Sequence, residues 1–144
     1  MASNDHRLQA WDALFMRFAS DVANMSYAKR LKVGAVAVRD KRVIAIGYNG
    51  TPSGEDKCCE EVINGALVTK SNVVHAEANL IKYAKTHNID LVGCTLYITH
   101  SPCQNCGHLV MDAQFVEVIY GKPYRDTTIL LEIEAIGIKV NEWN

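Results

Sequence analysis

Trp11, Phe15, Phe18, Val22 and Met25 step along the chain by 4, 3, 4 and 3 residues, the spacing of one apolar helix face. A helix is expected from about Asp5 to Met25, with Ser3, Asn4 and Asp5 as candidate N-caps. The valine-rich run Val33 to Val38 reads as a strand, and Arg42 to Tyr48 as a second. The short polar turn Arg39-Asp40-Lys41 between them predicts an antiparallel hairpin. Asn49 to Lys57 is rich in Gly, Pro and Ser and reads as a loop. Residues 58–74 follow neither period and receive no firm assignment. Helical spacing returns from His75 to His87, with Ala76, Leu80 and Ala84 on one face. Cys94 to Thr99 is a strand, and Pro102 opens a helix to about Ala113, as proline does at a first helical position. A strand at Val116–Tyr120, a helix at Thr127–Ala135 and a strand at Ile138–Asn141 complete the chain. The order α-β-β-α-β-α-β-α-β implies right-handed crossovers and parallel pairing in the second half. The expected fold is α/β, with three α/β/α layers around a five-stranded mixed sheet.

Length and composition narrow this picture. The 144 residues suit one domain spanning 1–144, and 16 acids against 15 bases leave a net charge of −1. A near-neutral chain is a poor obligate polyanion binder, so no nucleic-acid partner is expected. No apolar run approaches the roughly 18 residues of a membrane span, and the N-terminal residues lack the apolar core of a secretory signal. The expectation is a cytoplasmic protein with no membrane partner. Cys58, Cys59, Cys94, Cys103 and Cys106 are odd in number, which in a reducing compartment suggests metal or redox chemistry before disulfides.

Two segments concentrate that chemistry: His75-Ala76-Glu77, opening one helix, and Pro102-Cys103-Gln104-Asn105-Cys106, between a strand and the next helix. The H-x-E…P-C-x-x-C pattern is that of zinc deaminases acting on nucleobases. One histidine and two cysteines give zinc three ligands and leave a fourth tetrahedral position for water. Cys103 and Cys106 lie three apart, so one helical turn puts both sulfurs on one side. The positive end of a helix dipole favours thiolates. Zinc lowers the pKa of its water towards 7, and a glutamate at position 77 can shuttle that water's proton to a ring nitrogen and a leaving amine. Two blander readings stay open at this level. A lone C-x-x-C also suits a thioredoxin-type redox pair. A structural zinc would need a fourth ligand, for which Cys94, His100 or His108 is available.

The sequence resembles the deoxycytidylate deaminases of the cytidine deaminase superfamily, from about Lys29 to Gly137. The resemblance rests on Val33-Gly34-Ala35-Val36, Gly47-Tyr48-Asn49-Gly50-Thr51-Pro52-Ser53-Gly54, His75-Ala76-Glu77-Ala78-Asn79 and Ser101-Pro102-Cys103-Gln104-Asn105-Cys106. The glycine-rich stretch is the specific one, and the small size resembles phage or bacterial members. The resemblance implies a cytidine deaminase-like fold and zinc-dependent hydrolysis of dCMP to dUMP and ammonia, supplying dUMP for thymidylate synthesis. It makes His75, Cys103 and Cys106 the ligands of one Zn2+ and Glu77 the proton shuttle. Asn49 is expected at the deoxyribose hydroxyl, the Ala76 N–H at the base carbonyl and the Ser101 carbonyl at the exocyclic amine. Tyr124 is expected to pack on the base, with Arg30 and Arg125 as phosphate ligands. Activation by dCTP and inhibition by dTTP, with Mg2+, would involve Gly47, Asn49, Gly50, Thr51 and Gly54. A homo-oligomer, specifically a hexamer, is implied. Some members carry a second, structural zinc. Here Cys58 and Cys59 are present, but Val73 and Val74 stand where a histidine would precede His75, so one zinc per chain is expected. The alternatives are another deaminase substrate, such as cytidine, cytosine or a tRNA base, or a noncatalytic zinc or redox module.

Overall fold

The computed structural model describes residues 2–144, with side chains from His6 onward. Helix α1 spans Ala2–Ala23, followed by strands β1 (Gly34–Arg39) and β2 (Arg42–Tyr48). The pair β3 (Glu60–Ile63) and β4 (Ala66–Thr69) comes next, then α2 (Ala76–Thr86), β5 (Thr95–His100), α3 (Gln104–Asp112), β6 (Glu117–Lys122), α4 (Thr128–Ala135) and β7 (Lys139–Glu142). The main sheet runs β2-β1-β5-β6-β7. β1 is antiparallel to both neighbours, whereas β5, β6 and β7 are parallel. This is the mixed five-stranded sheet the alternation of elements predicts.

The two faces of β1 explain its unbroken apolar run. Ala35 and Ala37 enter a core shared with α2, α3 and α4, while Val36 and Val38 enter a second core under α1. A strand covered on both faces has no polar alternation to show. Under α1, Phe15 lies between Trp11, on which it stacks, and the tilted ring of Tyr97, with centroids 5.8 and 5.3 Å away, and the Tyr97 hydroxyl donates to Asp12 Oδ1 at 2.6 Å.

Three local expectations are corrected. The helix spans Ala2–Ala23, so the backbone of Ser3, Asn4 and Asp5 is helical and not at a cap position; their side chains lie outside the described residues. It also ends at Ala23, and its buried stripe is Phe15, Met16, Ala19, Val22 and Ala23, while Phe18 and Met25 are exposed. The reason is close approach: a Cβ on Gly34 would meet the Ala19 carbonyl oxygen and the Ala23 nitrogen. The helix settles its small residues onto the strand and turns Phe18 outward. Pro102 precedes α3 rather than opening it, because Cys103 is the N-cap residue.

The unassigned stretch 58–74 contains a second hairpin, paired from Glu60↔Thr69 to Ile63↔Ala66. Its two-residue turn is Asn64-Gly65, at φ 51° and 79°, the type that favours Asn-Gly. That dipeptide was the available signal, obscured because Val62, Ile63 and Leu67 are exposed and follow no clean alternation. From the hairpin the chain returns through a bridge in which Gly50 and Val74 exchange backbone hydrogen bonds of 3.0 and 2.7 Å. This bridge delivers His75 to the start of α2.

Gly47 sets how closely α2 lies on β2. A Cβ there would meet the Ala76 carbonyl oxygen and would lie 2.7 Å from the Leu80 nitrogen. Gly47→Ala is expected to destabilise the fold by about 1–3 kcal/mol, as overpacking of a tight contact does. Urea unfolding is the measurement; an unchanged midpoint would mean that α2 can shift without cost.

Candidate active site

Two helix N-termini meet at the end of the sheet. His75 is the N-cap residue of α2 and Cys103 that of α3, both extended at φ −72°, ψ 159° and φ −74°, ψ 176°. Neither uses its side chain to cap its own helix, so the imidazole and the thiol face each other. Cys106, in the first turn of α3, completes the group. His75 Nδ1 lies 3.4 Å from Cys103 Sγ and 3.3 Å from Cys106 Sγ, and the three ligand atoms lie within 4.8 Å of one another. Tetrahedral zinc, with bonds of about 2.0–2.1 Å to nitrogen and 2.3 Å to sulfur, holds such ligands roughly 3.5 Å apart. The trio fits that metal. Cys94, His100 and His108, the available fourth ligands of a structural site, stand outside the group among the described residues. Three protein donors leave one tetrahedral position for an external ligand.

The electrostatics agree. Hydrogen bonds from Cys106 and His75 pull the Cys103 thiol down to about 4, while the bond to Cys103, together with burial, pushes Cys106 up. The lowered Cys103 value favours the thiolate, the form that metal ligation requires. The hydrogen bond with Cys103 raises His75. Glu77 is buried, and that burial lifts its carboxyl to about 7. A carboxyl poised there can both accept and release a proton near neutrality.

The trio opens into a cleft of about 470 Å³. Arg30, Asn49, Ala76, Ser101, Tyr124 and Arg125 all line it alongside His75, Glu77 and Cys103. Residues far apart in the chain, from positions 30, 49, 75–77, 101–103 and 124–125, converge on one cavity.

Within that convergence some residues do more structural work than their types suggest. The Asn49 side chain clamps the preceding loop: Oδ1 accepts from the Val33 N–H at 2.9 Å and Nδ2 donates to the Leu31 carbonyl at 2.8 Å. The Ser101 hydroxyl accepts from the Tyr124 N–H at 2.7 Å and so fixes that ring's loop. Ala76 is the first residue of α2, where a backbone N–H has no partner within the helix. Of the glycine-rich stretch, Asn49 lines the cleft, while Gly47, Gly50, Thr51 and Gly54 do not. Gly47 sits in β2 against α2, and Gly54, at φ 87°, makes an exposed turn. Leu31, Val33, Thr69, Val73 and Pro123 also line the cleft without being candidates from the sequence, as does His100, which the sequence offers only as a fourth zinc ligand. Thr69 lies in the stretch that received no assignment.

Comparison with known proteins agrees with this geometry. The sequence profile of the cytidine and deoxycytidylate deaminase zinc-binding region matches residues 9–122. The deoxycytidylate deaminase of Mycobacterium phage D29 is 39% identical over 123 residues, covering 78% of this chain and 94% of that protein. ComE operon protein 2 of Bacillus subtilis is 34% identical over 137 residues, covering 92% and 71%. Among solved structures, the dCMP deaminase of cyanophage S-TIM5 in complex with dCMP and dUMP superposes with a TM-score of 0.84 at 33% identity, covering 91% of this chain and 95% of that one. A family profile spanning most of the chain, joined to a His-Cys-Cys group beside a buried glutamate, leads to one assignment: this chain is an enzyme belonging to the cytidine and deoxycytidylate deaminase family.

Proposed function

We propose that this enzyme hydrolyses dCMP to dUMP and ammonia. The observation that carries this reading is the layout of the cleft, in which His75, Glu77 and Cys103 share one cavity with Arg30 and Arg125, with Cys106 directly behind, its sulfur 3.3 Å from His75 Nδ1. A nucleoside monophosphate has the same two-ended chemistry, a base to be attacked and a dianion to be held. The cyanophage relative solved with dCMP and dUMP, and the deoxycytidylate deaminase of phage D29, support the same substrate.

In this reading His75, Cys103 and Cys106 hold Zn2+, which supplies an activated water when bound. Glu77 takes one proton of the attacking water and passes it to the ring nitrogen, then moves the second, from the hydroxyl added at the ring carbon, to the amine, so that the C–N bond breaks with ammonia leaving rather than amide ion and a carbonyl remains. The Ala76 N–H meets the base carbonyl and the Ser101 carbonyl the exocyclic amine. Tyr124 packs on the base, held by Ser101. Asn49 sits beside the sugar hydroxyl. Arg30 and Arg125 bind the phosphate, since a guanidinium makes paired, charge-assisted hydrogen bonds to its oxygens. The five free cysteines suit a reducing compartment, which supports work in the cytoplasm.

Glu77→Gln keeps the side-chain shape but cannot shuttle protons. It is expected to retain zinc and lose roughly 10²–10⁴-fold in turnover. Cys103→Ser and Cys106→Ser are expected to lower zinc content instead, because a hydroxyl is a harder and poorer zinc ligand. Metal analysis beside an ammonia-release assay separates the two outcomes; full zinc occupancy in both serine variants would remove those cysteines from the site.

Arg30→Ala and Arg125→Ala test the substrate. A hydrogen bond to a charged group is worth about 1.5–3 kcal/mol, so each variant should lose roughly 10–150-fold in kcat/KM for dCMP. Deoxycytidine, lacking the dianion, should lose little. Equal losses on both substrates would mean that the phosphate is held elsewhere.

We also propose regulation by dCTP and dTTP with Mg2+ in a homo-oligomer, a hexamer by family resemblance. Three features support this. Gly50 and Gly54 have open space where a Cβ would stand, so phosphates can approach their backbone closely. Gly50 is also bridged to Val74, one residue before His75, so an effector there acts on a segment leading into the metal site. Leu14, Phe18 and Trp143 line a groove of about 770 Å³ beside α1, an apolar surface suited to self-association. Cooperative dCMP kinetics that dCTP renders hyperbolic are expected, from an assembly larger than a monomer by light scattering. Kinetics indifferent to both triphosphates at millimolar concentration would discard the regulation, and a monomeric mass would discard the hexamer.

A further inference from the structure

Within residues 58–74, the β3–β4 hairpin is the part that the proposed chemistry leaves without a task, and it contains an unusual buried group. Glu60 is only 5% exposed. Its Oε2 accepts from two consecutive backbone N–H groups, Lys29 at 2.8 Å and Arg30 at 3.1 Å. Its Oε1 is buried with no hydrogen-bond partner among the described residues. A half-satisfied buried carboxylate costs stability, which argues for a role beyond folding.

The partner strand makes the second contact to the same residue. Arg30 Nη1 donates to Thr69 Oγ1 at 3.0 Å. Glu60 and Thr69 are direct cross-strand partners at the start of the β3–β4 ladder, and opposed residues of an antiparallel pair project to the same face. One rung of the hairpin therefore holds Arg30 twice, by its main chain and by its guanidinium. The arrangement is also electrostatically selective. Glu60 bonds the Arg30 backbone while, among the described residues, the guanidinium's hydrogen-bond partner is a neutral hydroxyl, so its positive charge is left for an anionic ligand in the cleft. At the far end of the same segment, Asn49 clamps Leu31 and Val33. Residues 29–33 thus lie between two fixed points.

We propose that the β3–β4 hairpin positions the phosphate-binding arginine, with Glu60 setting the Arg30 backbone and Thr69 aiming its guanidinium into the cleft. Glu60 and Thr69 are positioning residues, because they act through Arg30. The inference rests on the reading of Arg30 as a phosphate ligand, and the test separates the two.

Thr69→Val removes the hydroxyl at nearly constant shape from an exposed position. It is expected to raise KM for dCMP by roughly 2- to 10-fold, the size of one net hydrogen bond, with kcat largely kept and with a lower ratio of dCMP to deoxycytidine efficiency. Glu60→Gln should shift the same ratio in the same direction, and thermal unfolding reports its separate cost in stability. The deciding measurement is the double-mutant cycle. In the Arg30→Ala background, Thr69→Val should have no further effect on dCMP. An equal effect in both backgrounds would mean that Thr69 acts independently of Arg30 and would overturn the proposal. So would an effect of Arg30→Ala on the ratio that neither Thr69→Val nor Glu60→Gln reproduces, which leaves the arginine's own role standing. If Arg30→Ala itself leaves the ratio unchanged, the phosphate reading of Arg30 falls, and this inference falls with it.

Discussion

The meeting of two helix N-termini at one end of the sheet is the constraint on which the site depends. His75 and Cys103 are N-cap residues of α2 and α3 whose side chains are not spent on capping, and Cys106 lies in the first turn behind Cys103. The positive ends of both helices point where negative charge must be held, on thiolate and carboxylate. For that, α2 must lie close to β2, and Gly47 provides the clearance. It must also begin at the right residue, which the Gly50–Val74 bridge decides.

The cleft is electrically divided along its length. At the inner end, burial lifts the Glu77 carboxyl to about 7, and the Cys103 thiol is pulled down while that of Cys106 is pushed up. At the other extreme, Arg30 and Arg125 are exposed and cationic. Burial favours neutral or metal-bound groups, and exposure tolerates full charges. A ligand with a neutral base and a charged tail meets both conditions at once.

Between these ends, the loops are held by buried polar side chains. Asn49 bonds the backbone at residues 31 and 33, Ser101 bonds that of Tyr124, and Glu60 bonds that of residues 29 and 30. Each satisfies main-chain groups of a segment that carries a cleft-lining residue. Preorganisation of this kind lowers the ordering cost of binding. It explains why a small enzyme commits buried polar groups to loops rather than to its core.

The sequence by itself carried the His75–Cys103–Cys106 group, the neighbouring Glu77 and the chain order of the five main-sheet strands and four helices. Those features depend on local spacing: a histidine and a cysteine each just before a helical run, a second cysteine one turn on, and β-branched runs separated by polar turns. The six cleft residues Arg30, Asn49, Ala76, Ser101, Tyr124 and Arg125 came from the family resemblance, and the structure places all six in one cavity. What only the tertiary structure decided was non-local. The spacing of Phe18 reads as core, yet Gly34 lets α1 lie so close to β1 that alanines take the buried face. Glu60 and Thr69 look like ordinary surface residues of an unassigned stretch, and only the strand register makes them opposite members of one rung. Periodicity reports which face of an element is apolar, but it carries no information about how near the neighbouring element stands or which distant backbone a buried carboxylate must satisfy.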